Sequence, residues 1–277
     1  MNIDHIRNIA QTRQAEFVKS DVAAPLTKYE AYQGVHDKRA KRLVLAGGVL
    51  RGSNIDISWL PAAADTYKIS ADPDDYVLVD VPIVTVDVPN RNMQAFPFEE
   101  VAYFDPMYGK QIYKTFTGKP AHIDHINQDP LKAKGVHFDS TMEYIPAYGL
   151  YKIRVLTGWD RTKDPHLVKQ IISGARPGFS MGALVQAFVC SVCGATDTNV
   201  NPCRHMDQRL GISKGMLWDV QRDCRVQPGE IHGAAADQIK LIYQACVGCN
   251  YIEISNVSDP ADESATISGA SSAIWIP

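Results

Sequence analysis

The sequence predicts an α+β fold dominated by strands and carrying a cysteine/histidine insert. Three observations lead there. Residues 77–88, VLVDVPIVTVDV, alternate with period two and are rich in β-branched side chains. Helical signals are few and do not alternate regularly with the strands, which argues against a doubly wound parallel sheet. All six cysteines, at 190, 193, 203, 224, 246 and 249, fall in the last third of the 277 residues.

Along the chain, residues 1–75 read as an N-terminal extension or edge subdomain, with a structural part of the main fold as the alternative. Within them Ile3–Lys19 suits a polar amphipathic helix, and Leu43–Leu50 (LVLAGGVL) suits a short buried strand with a glycine bend. Pro82 in the following strand marks an edge or a bulge, because proline gives no ladder N–H. Pro89–Asn92 reads as a turn, and Phe96–Glu100 opens a helix with Pro97 in its first turn. Tyr151–Leu156 alternates as a strand. Asp164-Pro165 is an N-cap followed by proline at the first helical position, for a helix that runs to Ser173 and stops at Gly174. Phe179–Val189 and Tyr251–Val257 read as strands. Apolar spacing at Ala236, Ile239, Ile242 and Tyr243 predicts a helix over Gly233–Ala245. The main domain spans 76–265, with a Cys-rich insert at 190–249, and 266–277 form a loose Ser/Ala-rich tail.

Charge and composition exclude several classes. The chain carries 28 Lys+Arg against 31 Asp+Glu, a formal net charge of −3. That disfavours a polyphosphate binder, which needs clustered positive charge. No GxGxxG or GxxxxGK[ST] occurs. No apolar run approaches the ~18–20 residues of a membrane span. Asp4 and His5 stand where a signal peptide would be basic and then apolar. The expectation is a soluble protein of a reducing cytosol, large enough to fold without disulfides. Its cysteines therefore suit a metal better than a disulfide framework.

Two groups of residues carry chemistry. Gly178-Phe179-Ser180-Met181-Gly182 matches the GxSxG pattern letter for letter, with small neighbours that let a carbonyl approach Ser180. The context differs from a nucleophile elbow, since a helix precedes and a strand follows. The bland alternative is a serine in a tight turn. A serine nucleophile needs a base, usually histidine. The densest histidine cluster is GKPAHIDHIN at 118–127, where His122 and His125 remain equal candidates on residue type alone. The second group is CSVCGATDTNVNPCRH, giving Cys190, Cys193, Cys203 and His205. A CxxC followed by glycine is the usual zinc-knuckle turn, and three thiolates with one imidazole complete a tetrahedral structural Zn2+ site. Cys246 and Cys249 form a second CxxC that would instead supply half of a four-thiolate site. Reduced buried cysteines are the alternative to any metal.

Taken together, five stretches in order resemble the prohead core (capsid maturation) proteases of tailed bacteriophages, of the T-even and jumbo-phage type. They are PNRNMQAFP (89–97), GKPAHIDHIN (118–127), KIRVLTGWD (152–160), LVKQIISGARPGFSMGA (167–183) and EISNVSDPADESA (253–265). The separation of 55 residues from His125 to Ser180 is also like the family's. Residues 1–75 lie outside the likeness.

The resemblance implies a herpesvirus-assemblin-like protease barrel with flanking helices. It implies Ser180 as nucleophile, His125 as general base rather than His122, and Glu253 as the acid that orients the imidazole. Herpesvirus relatives use a second histidine after the serine, which keeps His205 as the alternative third member; a His205 bound to zinc would leave Glu253 in the role. Similar Cys/His inserts occur in the jumbo-phage-type relatives, and many other members lack them. The implied activity is a serine endopeptidase that cleaves scaffold or core proteins, the major capsid protein and itself, in the host cytoplasm within the procapsid or virion. A homo-oligomer is compatible, and no membrane or nucleic-acid partner is expected. The rival readings are a catalytically silent structural virion protein of the same fold and a zinc-bearing nucleic-acid-binding module. Near-neutral charge and the lack of a basic aromatic stripe count against the latter.

Overall fold

The computed structural model describes residues 55–146, 149–197, 203–227 and 238–267. The helix expected at 3–19, the strand at 43–50 and the tail from 268 lie outside them. In chain order the α-helices among the described residues are α1 (Leu60–Tyr67), α2 (Phe98–Ala102) and α3 (Pro165–Ile172). The strands are β1 (Tyr76–Thr85), β2 (Gln94–Ala95), β3 (Phe104–Asp105), β4 (Lys110–Gln111), β5 (Pro120–Ile123), β6 (Gly135–Ile145) and β7 (Leu150–Asp160). They continue as β8 (Gly178–Cys190), β9 (Thr196–Asp197), β10 (Leu217–Asp219), β11 (Cys224–Val226), β12 (Ile239–Leu241) and β13 (Gln244–Val257). The chain is α+β and strand-dominated. It divides into two compact units, each described by itself below.

One unit comprises 55–84, Phe104–Leu184 and 250–267 among the described residues. Its strands are ordered β1-β7-β6-β5-β13-β8. β1 ends this order, which accommodates Pro82 on an edge. The apolar run is buried at nearly every position, with Asp80 half-buried. Asp80 takes a forked bond from Arg154 on β7, with Nε to Oδ2 at 2.8 Å. β6 and β7 are long antiparallel partners, from Gly135↔Trp159 to Ile145↔Leu150, with a bulge between His137 and Asp139. β5 pairs antiparallel to β6 and parallel to β13.

Helices close this unit's core. Leu60 and Ala64 of α1 pack with Tyr76, Leu78, Val136 and Phe138, so residues 55–75 contribute to the same core. In α3 the Asp164 side chain accepts from Leu167 N at 3.0 Å, satisfying an N-terminal donor, and Leu167, Val168 and Ile171 are buried. The start of β8 is fixed by the closing segment. Phe179 N bonds Ala265 O, and Ile267 N bonds Pro177 O, each at 2.8 Å. That segment is tied down by fully buried Lys152, which donates to Asp262 Oδ2 at 2.9 Å and to Ser264 Oγ at 2.5 Å.

The other unit comprises Thr85–Tyr103 and the described residues of Val185–Cys249. Here β2 pairs parallel with the start of β13, and the end of β8 pairs with β9. β11-β10-β12 form a small antiparallel sheet. Cys190, Met206, Trp218 and Ile242 make its core. The helix expected over Gly233–Ala245 is not formed by the described residues 238–245. Ile239–Leu241 is strand β12, with Ile239 opposite Asp219 and Leu241 opposite Leu217. Gln244 already belongs to β13. Cross-strand pairing with β10, Leu241 opposite Leu217 and Lys240 opposite Trp218, overrides an apolar spacing that fits a helix by number alone.

Candidate functional site

β5 delivers the histidine segment and then turns sharply. Asp124 (φ 48°) and His125 (φ 56°) are both left-handed, a conformation that costs a non-glycine residue roughly 1–2 kcal/mol. The neighbouring β13 holds them there. Asp124 N donates to Asn256 O at 3.1 Å, and His125 N to Ser255 Oγ at 3.1 Å. Arg176 clamps the turn from the other side, with its guanidinium on Asp124 Oδ1 at 3.1 Å and on Asn256 Oδ1 at 2.6 Å. Asn256 Nδ2 then bonds Arg176 O and Gly178 O, at 3.0 and 2.9 Å. The turn, β13 and the entry to β8 are thus one hydrogen-bonded assembly.

The result is a histidine–acid pair. His125 Nδ1 lies 2.8 Å from Glu253 Oε1. Glu253 is 1% exposed, whereas the His125 side chain is 43% exposed. The second carboxylate oxygen accepts from Ser255 Oγ at 2.6 Å. A carboxylate only accepts, so Nδ1 carries the hydrogen and Nε2 is left as a base. The hydrogen bond that His125 donates to Glu253 raises the basicity of His125 above the ordinary histidine value, and burial offsets part of that.

Ser180 is the third residue of β8, inside the strand rather than in a turn. Two positions on, Gly182 faces the acid: a Cβ placed there would lie 2.6 Å from Glu253 Oε1. Successive strand side chains alternate, so Ser180 shares the face of β8 that Gly182 turns to Glu253. Ser180 is buried at 7% exposure, and no hydrogen bond joins it to the His125 ring in this structure. Catalytic contacts in substrate-free sites commonly tighten only when substrate binds. The acid at the His125 ring is therefore Glu253, and His205 lies in the cysteine cluster described below.

His122 and His137 differ from His125. His122 is fully buried, and neither ring nitrogen has a partner. His137 is also fully buried, with Nδ1 3.0 Å from Thr157 Oγ1 and Nε2 accepting from Ile254 N at 3.1 Å. Burial drives its pKa down to about 3, so the ring is neutral. Sequence reasoning missed Ser255, Asn256, Arg176 and the role of Gly182. Two signals existed: a glycine inside a strand marks a close approach, and Glu253-x-Ser255 puts two polar groups on one strand face.

The cysteine insert forms a second site. One ligand atom from each of Cys190, Cys193, Cys203 and His205 lies within 4.8 Å of every other. The spacing and the N/S donor set suit a tetrahedral metal. The first CxxC is folded as a knuckle: Gly194 N bonds Cys190 O at 2.9 Å, Gly194 has φ 68°, and Val192 N donates to Cys190 Sγ at 3.4 Å. Left-handed backbone is why glycine follows the second cysteine. Hydrogen bonds from Cys190 and Cys203 hold the Cys193 thiol far below the ordinary thiol range, so the cluster favours a thiolate. The His205 ring packs edge-on against Trp218, with centroids 4.8 Å apart. Cys246 and Cys249 stand outside this group; burial raises the Cys246 thiol to about 12 and Cys249 well above the ordinary value.

Compared with protein-family models, curated proteins and solved structures, the chain matches none of them. No helix among the described residues is long and apolar enough to cross a membrane.

Proposed function

We propose that this chain is a serine hydrolase working through Ser180, His125 and Glu253, with a structural metal site in its cysteine insert. More narrowly, we read it as a phage prohead maturation protease with an assemblin-like barrel. It cleaves scaffold or core proteins, the major capsid protein and itself within the procapsid. The observation that carries the reading is the 2.8 Å contact of a solvent-facing His125 with a buried Glu253, which Gly182, on the face of β8 that also carries Ser180, turns toward. The five-stretch resemblance selects peptide bonds among possible acyl substrates.

In this reading His125 Nε2 takes the Ser180 hydroxyl proton as the oxygen attacks a peptide carbonyl, and later returns it to the leaving amine. Glu253 holds the tautomer and stabilises the imidazolium. The metal is Zn2+, bound by Cys190, Cys193, Cys203 and His205, and it supplies fold stability rather than chemistry. The test is incubation of purified protein with the phage's scaffold and capsid proteins, beside Ser180→Ala. Cleavage by the wild type alone supports the proposal; equal cleavage by Ser180→Ala overturns it.

A further inference from the structure

His122 is a buried polar group that the chemistry above does not use. It occupies β5 opposite Ser255 of the parallel strand β13, so the two side chains emerge on the same face. Glu253 is on that face too, bonded to Ser255. Both His122 nitrogens lack partners at 0% exposure, an expensive condition for a polar ring. Beside it, the buried Glu253 carboxylate uses one hydrogen bond per oxygen, from His125 and Ser255, although each oxygen accepts two. An unused donor and an unused acceptor thus share one buried strand face.

We propose that His122 is a positioning residue of the triad: its ring N–H donates a third hydrogen bond to Glu253 when His125 becomes protonated. This rests on the protease reading. A further donor stabilises the carboxylate as an anion, so the proton taken from Ser180 stays on His125 rather than passing to Glu253 until the leaving amine accepts it. His122 suits the part because burial keeps it neutral, while the charge of Glu253 pulls on it. The other charged or titratable groups acting around it are His137 from β6, Asp129 from the segment after β5 and Lys163 from the segment after β7.

The test combines His122→Leu, His122→Gln and nitrogen-labelled histidine NMR of the wild type. Loss of one charge-assisted hydrogen bond predicts that His122→Leu lowers kcat by about tenfold or more with KM unchanged. His122→Gln, which keeps a donor, should recover most of it. In the wild type, the His122 ring N–H resonance should move downfield as acid protonates His125, a readout that needs neither activity nor a variant that folds. Full kcat in His122→Leu with an unresponsive His122 resonance overturns the proposal, provided a fluorophosphonate probe still labels Ser180. Failure of that labelling overturns the protease reading instead, and the resonance still decides whether His122 bonds Glu253.

Discussion

Glu253 Oε1 occupies space that a side chain at position 182 would need: a Cβ built on Gly182 lies 2.6 Å from Oε1, 3.1 Å from Cγ and 3.2 Å from Cδ. The neighbour that must give way is the end of a flexible side chain, so folding tolerates the change. The position of the carboxylate does not. Gly182→Ala should therefore leave the melting temperature within a few degrees of wild type while lowering kcat by about 10²–10⁴-fold, as loss of triad geometry does. Parallel thermal melts and peptide-cleavage kinetics check it; an active Gly182→Ala would separate Glu253 from the chemistry.

Glu253→Gln gives a pH signature. The carboxylate raises the pKa of His125 above its ordinary 6.5. The base works only when neutral, so the acid limb of kcat/KM should lie above 6.5 in the wild type and fall in Glu253→Gln, with a rate loss of about 10⁴-fold at neutral pH. The same raised pKa stabilises the fold below 6.5, and that contribution disappears as pH rises through the raised value. An acid limb at the same pH in both proteins would contradict the pairing.

The left-handed turn at Asp124 and His125 depends on β13. Ser255→Ala removes the acceptor of His125 N and the donor to Glu253 Oε2 together. It should cost about 1–3 kcal/mol of stability, because the buried Glu253 Oε2 loses its donor and the part-buried His125 N–H its acceptor, and at least tenfold in kcat. Denaturant titration and cleavage rates measure both; wild-type values for the two would show that the turn holds itself.

How much of this was legible from sequence varies by element. The capped helix after Asp164 and the strands at β1, β8 and the end of β13 carry local signals, and they stand where those signals put them. The Cys/His spacing offers Cys190, Cys193, Cys203 and His205 with the paired CxxC as the alternative, because a CxxC knuckle is a local structure, and the structure brings the first four together. The His125–Glu253 contact joins residues 128 apart, and periodicity says nothing about which strands become neighbours. Only the family resemblance suggested it. The strand at Ile239–Leu241 reads as helix in the sequence because its apolar spacing fits one, and its pairing with β10 is invisible locally.

The metal site predicts composition as well as stability. Protein purified under reducing, chelator-free conditions should hold close to one zinc per chain. Cys193→Ser should lose it and Cys246→Ser should keep it, by elemental analysis. Chelation should lower the melting temperature without directly inhibiting cleavage, since folding and binding are linked. Zinc that survives Cys203→Ser but not Cys246→Ser would assign the ligands to the paired CxxC arrangement.

His137 predicts an acid limit to folding. Its native pKa is near 3, against an ordinary 6.5 in the unfolded chain. Below 6.5 the unfolded chain binds a proton that the folded ring refuses. Its contribution is therefore complete above 6.5 and declines by about 1.4 kcal/mol per pH unit as pH falls toward 3. Denaturant midpoints at several pH values should show this slope, reduced in His137→Gln; an equal slope in both would place the acid sensitivity elsewhere.

Covalent labelling by a fluorophosphonate probe, read by peptide mass spectrometry, tests Ser180 as nucleophile and His125 as its base. One adduct is expected, on Ser180, formed rapidly in the wild type, slowed by several orders of magnitude in His125→Ala and absent in Ser180→Ala. An adduct on another serine, or equal labelling of Ser180 in His125→Ala, would contradict it.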